Sequence, residues 1–171
     1  MSHKRFRYRD VEALRAEVTA LGLAIPVGAE DASILFTPVR IGERTAANRF
    51  VVQPMEGFDA DDAGTPGALA FRRYERYARG GHAVIWFEAT AILREARSNP
   101  NQLWLHAGNV ERFRDLVART RAVARESWGH DPVCILQLTH SGRYSKPAGL
   151  PQPIIAHHSA VLDPLGRIAP D

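Results

Sequence analysis

Three short segments carry the residue types from which a chemical site can be built. Gln53-Pro54-Met55-Glu56-Gly57, Glu88-Ala89-Thr90 and Gln137-Leu138-Thr139-His140-Ser141-Gly142-Arg143 each sit at the end of an apolar, β-leaning run. Pro54 removes one backbone donor and Gly57 permits close backbone approach, so Met55 and its neighbours can present N–H groups to a flat polar ligand; an ordinary strand end reads the same way. Gln137 closes an otherwise apolar stretch, where an unpaired carboxamide costs about 1–3 kcal/mol. A heterocyclic edge alternating acceptor and donor suits it, and so does a backbone partner in a neighbouring strand.

His140 and Arg143 extend the third segment. A cation there balances an electron-rich ligand or an anionic substrate, and a loop arginine paired with Asp or Glu accounts for it equally. Glu88 is either an acid or base at a strand end or a hydrogen-bond acceptor for an adjacent loop. His106, His140, His157 and His158 with Glu88 invite a zinc or iron reading. None has helical ligand spacing, His157 and His158 diverge in an extended chain, and no H-E-x-x-H occurs, so no metal is expected. Neither a GxGxxG turn nor a P-loop is present, which argues against a dinucleotide Rossmann domain and against phosphoryl transfer.

The elements that must position these segments follow from periodicity. Asp10, then Val11, Leu14, Val18 and Leu21 at helical spacing, then Gly22, predict a helix over about residues 10–21. The stretch 34–48 reads as an extended segment or small hairpin. From Arg49 the chain alternates. Arg49–Gln53 reads as a buried strand stopped by Pro54. Thr65-Pro66 reads as the start of a helix whose inner side holds Leu69, Ala70, Tyr74, Tyr77 and Ala78 and which ends at Gly80-Gly81. Ala83–Phe87 is a second strand. Asn109 caps a longer helix with Phe113, Leu116, Val117, Thr120, Val123 and Ala124 on one stripe, Gly129 ends it, and Val133–Leu136 is a third strand. Such alternation implies parallel strands with right-handed crossovers, an α/β fold with function at the strands' C-terminal ends.

Composition sets the outer limits. At 45% hydrophobic and 24% charged over 171 residues, the chain is a globular protein, not a disordered or fibrous one. Its single cysteine, Cys134, excludes an internal disulfide and a thiolate cluster and points to a reducing compartment, the cytoplasm. No apolar run approaches the roughly 18 residues of a membrane span, so no membrane partner is expected. Net charge is +3, and only Lys4 and Lys146 of the 22 basic residues are lysines. The arginines are interleaved with acids along helical stretches, as on a solvated face and unlike a nucleic-acid groove.

Taken together, these residues resemble the Old Yellow Enzyme, or NADH:flavin oxidoreductase, family, FMN-dependent TIM barrels that include 2,4-dienoyl-CoA and enoate reductases. Leu35-Phe36-Thr37-Pro38-Val39, Ile41-Gly42 and Asn48-Arg49-Phe50 resemble the barrel's entry. Val52-Gln53-Pro54-Met55 resembles its first strand, Phe87-Glu88-Ala89-Thr90 its second, and the Q-L-x-H-x-G-R pattern of Gln137–Arg143 its third. The similarity covers about residues 34–147. It implies a truncated barrel domain, a partial (β/α)8 of about three βα units, over 34–171, preceded by the N-terminal helix and linker over 1–33 that periodicity predicts.

The resemblance further implies FMN as cofactor, with the backbone around Gln53, Pro54, Met55 and Glu56 against the isoalloxazine. Ala78 is expected to approach its polar edge and Gln137 to hydrogen-bond its pyrimidine ring. His140 and Arg143 are expected to contact substrate or shape the loop. The implied reaction is hydride transfer from NAD(P)H through the flavin to an activated alkene or related acceptor, a small-molecule substrate. Glu56 departs from the pattern, since relatives often carry Cys, Thr or another small residue there; a carboxylate would disfavour an anionic reduced flavin or turn toward solvent.

Three of eight strands can be counted, and the length falls well short of the roughly 250 residues of a complete barrel. The chain is therefore expected to be an N-terminal fragment, with the substrate-gripping His/His or His/Asn pair and the phosphate site beyond Asp171. In isolation it is expected to bind FMN weakly or not at all, because an open sheet has an exposed edge and lacks much of its core. The readings from other classes are a non-catalytic α/β module binding a partner or RNA through its Arg-rich N-terminus, and a metal-dependent barrel hydrolase.

Overall fold

The structure is a computed structural model that describes residues 7–28 and 31–163. The chain forms two compact units, one up to Leu35 and one from Phe36 onward. In the first, helix α1 spans Val11–Ala20. Asp10 caps it by accepting the Ala13 N–H at 2.8 Å, and Gly22, at φ +64°, follows its C-cap Leu21.

The second unit opens with an antiparallel hairpin, β1 (Val39–Ile41) and β2 (Arg44–Ala46), turning at Gly42. Three parallel strands follow in the order β3-β4-β5: Val51–Val52, Val84–Ala91 and Val133–Thr139. Helix α2, Ala68–Arg79, joins the first pair and α3, Val110–Trp128, the second. The predicted alternation is present, and the architecture is α/β, an open three-stranded parallel sheet. The third strand is followed among the described residues only by a single 3-10 turn at Gly142–Tyr144, so two of the expected three units have their helices.

Both faces of the sheet are used. On one, Val52, Ile85 and Phe87 pack against Tyr74 and Ala78 of α2 and Leu116, Val123 and Ala124 of α3. On the other, Val84 and Val133, at the strands' beginnings, pack with Ala46 of the hairpin, flanked by Val39 and Ile135. The Asn48 carboxamide accepts the Phe50 and Ala83 N–H groups and donates to the Gly81 carbonyl at 2.7 Å, tying the start of β3 to the turn before β4.

Several local expectations are corrected. α2 begins at Ala68 with Gly67 as N-cap, because the Thr65 N–H donates to the Asp61 carboxylate and holds 61–65 as a loop. Leu69 is exposed; the buried stripe is Ala70, Tyr74 and Ala78, spaced by four. Asn109 occupies the cap position of α3 but its side chain turns back, accepting the His106 N–H and donating to the Trp104 carbonyl. Glu88-Ala89-Thr90 and Gln137-Leu138-Thr139 lie within β4 and β5, not after them. The pairing shifts between Phe87↔Leu136 and Thr90↔Leu138, so Glu88 and Ala89 together oppose Gln137 in a bulge.

Candidate functional site

The parallel order brings the three sequence segments to one rim, the C-terminal ends of β3, β4 and β5. Along β5, Cys134 packs on the helix-side core and Leu136 lines a cleft with Phe113 and Val117 of α3, whereas Val133 and Ile135 face the hairpin. Strand alternation therefore sets Gln137 on the face away from the helices. It is half-buried, and its carboxamide makes no hydrogen bond to the described residues. A carboxamide at this rim, with donor and acceptor both free among the described residues, fits the edge of a heterocycle such as a flavin's.

After Pro54 the backbone donors are mostly committed. Met55 N–H donates to the Gln53 carbonyl at 3.0 Å and Gly57 N–H to the Glu88 carboxylate at 2.7 Å, which leaves the Glu56 amide free among the described residues. Gln53 and Met55 have exposed side chains and Pro54 is half-buried.

Glu88 is 1% exposed and is spent on structure. Its Oε1 accepts from Arg73 Nη2 at 2.6 Å and from the Tyr74 hydroxyl at 3.2 Å, and that hydroxyl accepts the Glu88 N–H at 2.7 Å. Arg73 also pairs with Asp59. Burial, followed by the nearby Glu88 charge, pushes the Tyr74 phenol far above its ordinary value, so it remains a neutral donor. Of the two roles open to Glu88, acceptor for a neighbouring loop is the one this geometry fills.

Two buried side chains from the β4–α3 connection tie together the ends of the three strands and the loops after them, and neither stands out in the sequence. Gln102 Nε2 lies 3.1 Å from Glu56 Oε1, 3.1 Å from the Ala89 carbonyl and 3.4 Å from Thr139 Oγ1, while its Oε1 accepts the Ser98 N–H at 2.6 Å. Arg97 donates to the carbonyls of Asp62, Pro100 and Pro147. Burial, and then the neighbouring Arg94, draws the Arg97 pKa down. Glu56 turns neither into the mouth nor to solvent: Ser98 Oγ, Asn99 Nδ2 and Gln102 Nε2 all donate to it. Its pKa is raised, chiefly by burial.

Ala78 requires correction as a cofactor contact. It is wholly buried in the last turn of α2, in the core between sheet and helices, before the chain enters the start of β4. Ala89 lies near the C-terminal end of β4, and its carbonyl accepts from Gln102. His140 is exposed and its Nδ1 accepts the Gly142 N–H at 2.9 Å. Arg143 is paired with Asp163, whose pKa is lowered by the Ser159 N–H and then by Arg143. Among the described residues, no group of three or more His, Cys, Asp or Glu side chains is gathered as metal ligands, and no helix is long and apolar enough to cross a membrane.

The model of the NADH:flavin oxidoreductase / NADH oxidase family matches residues 34–164. The chain belongs to that family. Among curated members it is 31% identical over 113 residues to the "Probable inactive reductase easA" of Epichloe festucae var. lolii, covering 65% of this chain and 28% of that protein. To the N,N-dimethylglycine/sarcosine dehydrogenase of Chromohalobacter salexigens it is 26% identical over 133 residues, covering 78% and 19%. Among solved structures, morphinone reductase in complex with tetrahydroNAD superposes with a TM-score of 0.55 at 27% identity, covering 65% of this chain and 28% of that one. The Old Yellow Enzyme homologue from Zymomonas mobilis gives 0.54 at 25% identity, covering 64% and 28%. The chain thus spans under a third of the length of these relatives, and the resemblance to the NADH:flavin oxidoreductase family is borne out.

Proposed function

We propose that this chain supplies the opening strands and one wall of the cofactor site of an FMN-dependent NAD(P)H oxidoreductase that reduces a small-molecule acceptor of the activated-alkene class. The chemistry that FMN supplies when bound is acceptance of a hydride from NAD(P)H and its delivery to the acceptor. The protein's part is orientation. Gln137 reads the polar rim of the ring system with both ends of its carboxamide, the Glu56 amide offers a single backbone donor, and Pro54 and Met55 form the floor against which the ring lies. Glu88, Arg73 and Tyr74 keep that floor in place from behind. His140 and Arg143 shape the loop beyond β5, with Arg143 held by Asp163.

The observation that carries this reading is the half-buried carboxamide of Gln137, on the face away from the helices and without a hydrogen-bond partner among the described residues. It is tested in the full-length protein by equilibrium dialysis against FMN and by visible flavin absorbance after gel filtration. The unsubstituted protein retains FMN, and Gln137→Leu weakens the affinity roughly tenfold or more, the loss of about 1–3 kcal/mol for a hydrogen-bonded polar group left without its partner. A colourless protein that fails to take up FMN, or an affinity indifferent to Gln137, overturns the reading.

A further inference from the structure

We propose that Gln102 is a positioning residue that holds the Glu56 carboxylate away from the cofactor face of the loop after β3. The inference rests on the reading that Pro54 and Met55 border FMN. Glu56 immediately follows Met55, so its side chain can lie over the ring, turn out to solvent or fold back against the protein. It goes back. Oε2 is taken by Ser98 Oγ at 2.9 Å and Asn99 Nδ2 at 3.3 Å, and Oε1 by Gln102 Nε2 at 3.1 Å.

Ser98 and Asn99 are half-buried loop residues, but Gln102 is 1% exposed and anchored on every side. The Ala89 carbonyl of β4 and Thr139 Oγ1 of β5 share its two amide hydrogens with Glu56, and the Ser98 N–H fixes the amide's orientation by donating to Oε1. Gln102 cannot follow Glu56 outward without giving up partners in both strands. It is therefore the fixed point of the latch, and Glu56 the part it retains.

The consequence is electrostatic. A carboxylate lying on a redox group that gains negative charge on reduction disfavours the reduced form; drawn back and hydrogen-bonded by three donors, it acts more weakly. The Glu88 carboxylate acts on Glu56 in a repelling sense, with its own charge met by Arg73. Releasing Glu56 should therefore be felt at the flavin, and only as long as residue 56 carries a charge.

The test is a spectroelectrochemical titration of the FMN-loaded full-length protein. Gln102→Leu is expected to move the flavin midpoint potential to more negative values and to weaken FMN binding by about tenfold. Glu56→Gln introduced into the same protein should restore the potential toward that of the unsubstituted enzyme. Should Gln102→Leu fail to fold, the pair Ser98→Ala/Asn99→Ala removes the other two donors and is expected to move the potential the same way. An unchanged potential in these variants, or a shift of equal size with and without Glu56→Gln, overturns the proposal while leaving bound FMN and the functional reading intact. Failure of the unsubstituted protein to bind FMN overturns both.

Discussion

The Glu88 carboxylate accepts the Gly57 backbone N–H at 2.7 Å, so a buried side chain on β4 determines where the loop after β3 runs. Because the same carboxylate is met by Arg73 and Tyr74, both on α2, one acidic group ties two strands and a helix together just behind the rim.

Removing that group leaves Arg73 with Asp59 alone and takes away the acceptor of the Tyr74 hydroxyl's proton. Glu88→Ala is expected to lower the unfolding free energy by about 3 kcal/mol, the scale for breaking a buried ion pair from one side. Urea denaturation measures the loss. Amide exchange at Gly57 should rise with it; retention of full protection there would contradict the assigned role.

Tyr74→Phe tests the other arm. The hydroxyl both accepts the Glu88 N–H and donates to its carboxylate, so its removal leaves a buried backbone donor unsatisfied. The expected cost is about 1–3 kcal/mol in chemical denaturation, with the ring's stacking on Phe87 preserved.

Gly57 is required for space. A Cβ at this position would collide with the Arg73 guanidinium, which is held on either side by Asp59 and Glu88 and cannot yield freely. Gly57→Ala should cost about 1–3 kcal/mol, read as a fall in Tm, and Arg73→Ala in the same background should remove most of the difference between Gly and Ala.

Glu56 gives a pH dependence with a definite sign. Its pKa in the folded protein is raised, chiefly by burial, above the value of 4.5 expected of the unfolded chain. The folded state therefore binds more protons in the interval above 4.5, and the contribution of this group is fully present below it and is lost as pH rises through the folded pKa. Thermal unfolding followed from pH 4 upward should show Glu56→Gln with a flatter profile than the unsubstituted chain. Parallel profiles would mean that Glu56 titrates normally.

The order of elements was legible because periodicity is local. The four-residue spacing of Ala70, Tyr74 and Ala78, the stripe from Phe113 to Ala124 and the glycine stops at Gly80-Gly81 and Gly129 each belong to one short stretch of chain. So was Q-L-x-H-x-G-R, a contiguous pattern. The packing surface of Ala78 was not, because a helical residue's nearness in sequence to a strand does not say which surface of the fold it packs on.

Length, alternation and motif in the sequence determined the α/β class, the parallel sheet, the rim that gathers Gln53–Glu56 and Gln137, and the family. Tertiary structure alone decided that Glu88 serves a neighbouring loop, that Glu56 is latched back and that Gln102 and Arg97 bind the rim together. These pairings join residues far apart in the chain, 31 for Gly57 and Glu88, 46 for Glu56 and Gln102, and 50 for Arg97 and Pro147. Apolar periodicity is dictated by which face an element must bury, but a buried polar side chain finds its partner only where folded loops happen to meet, and no local spacing encodes that meeting.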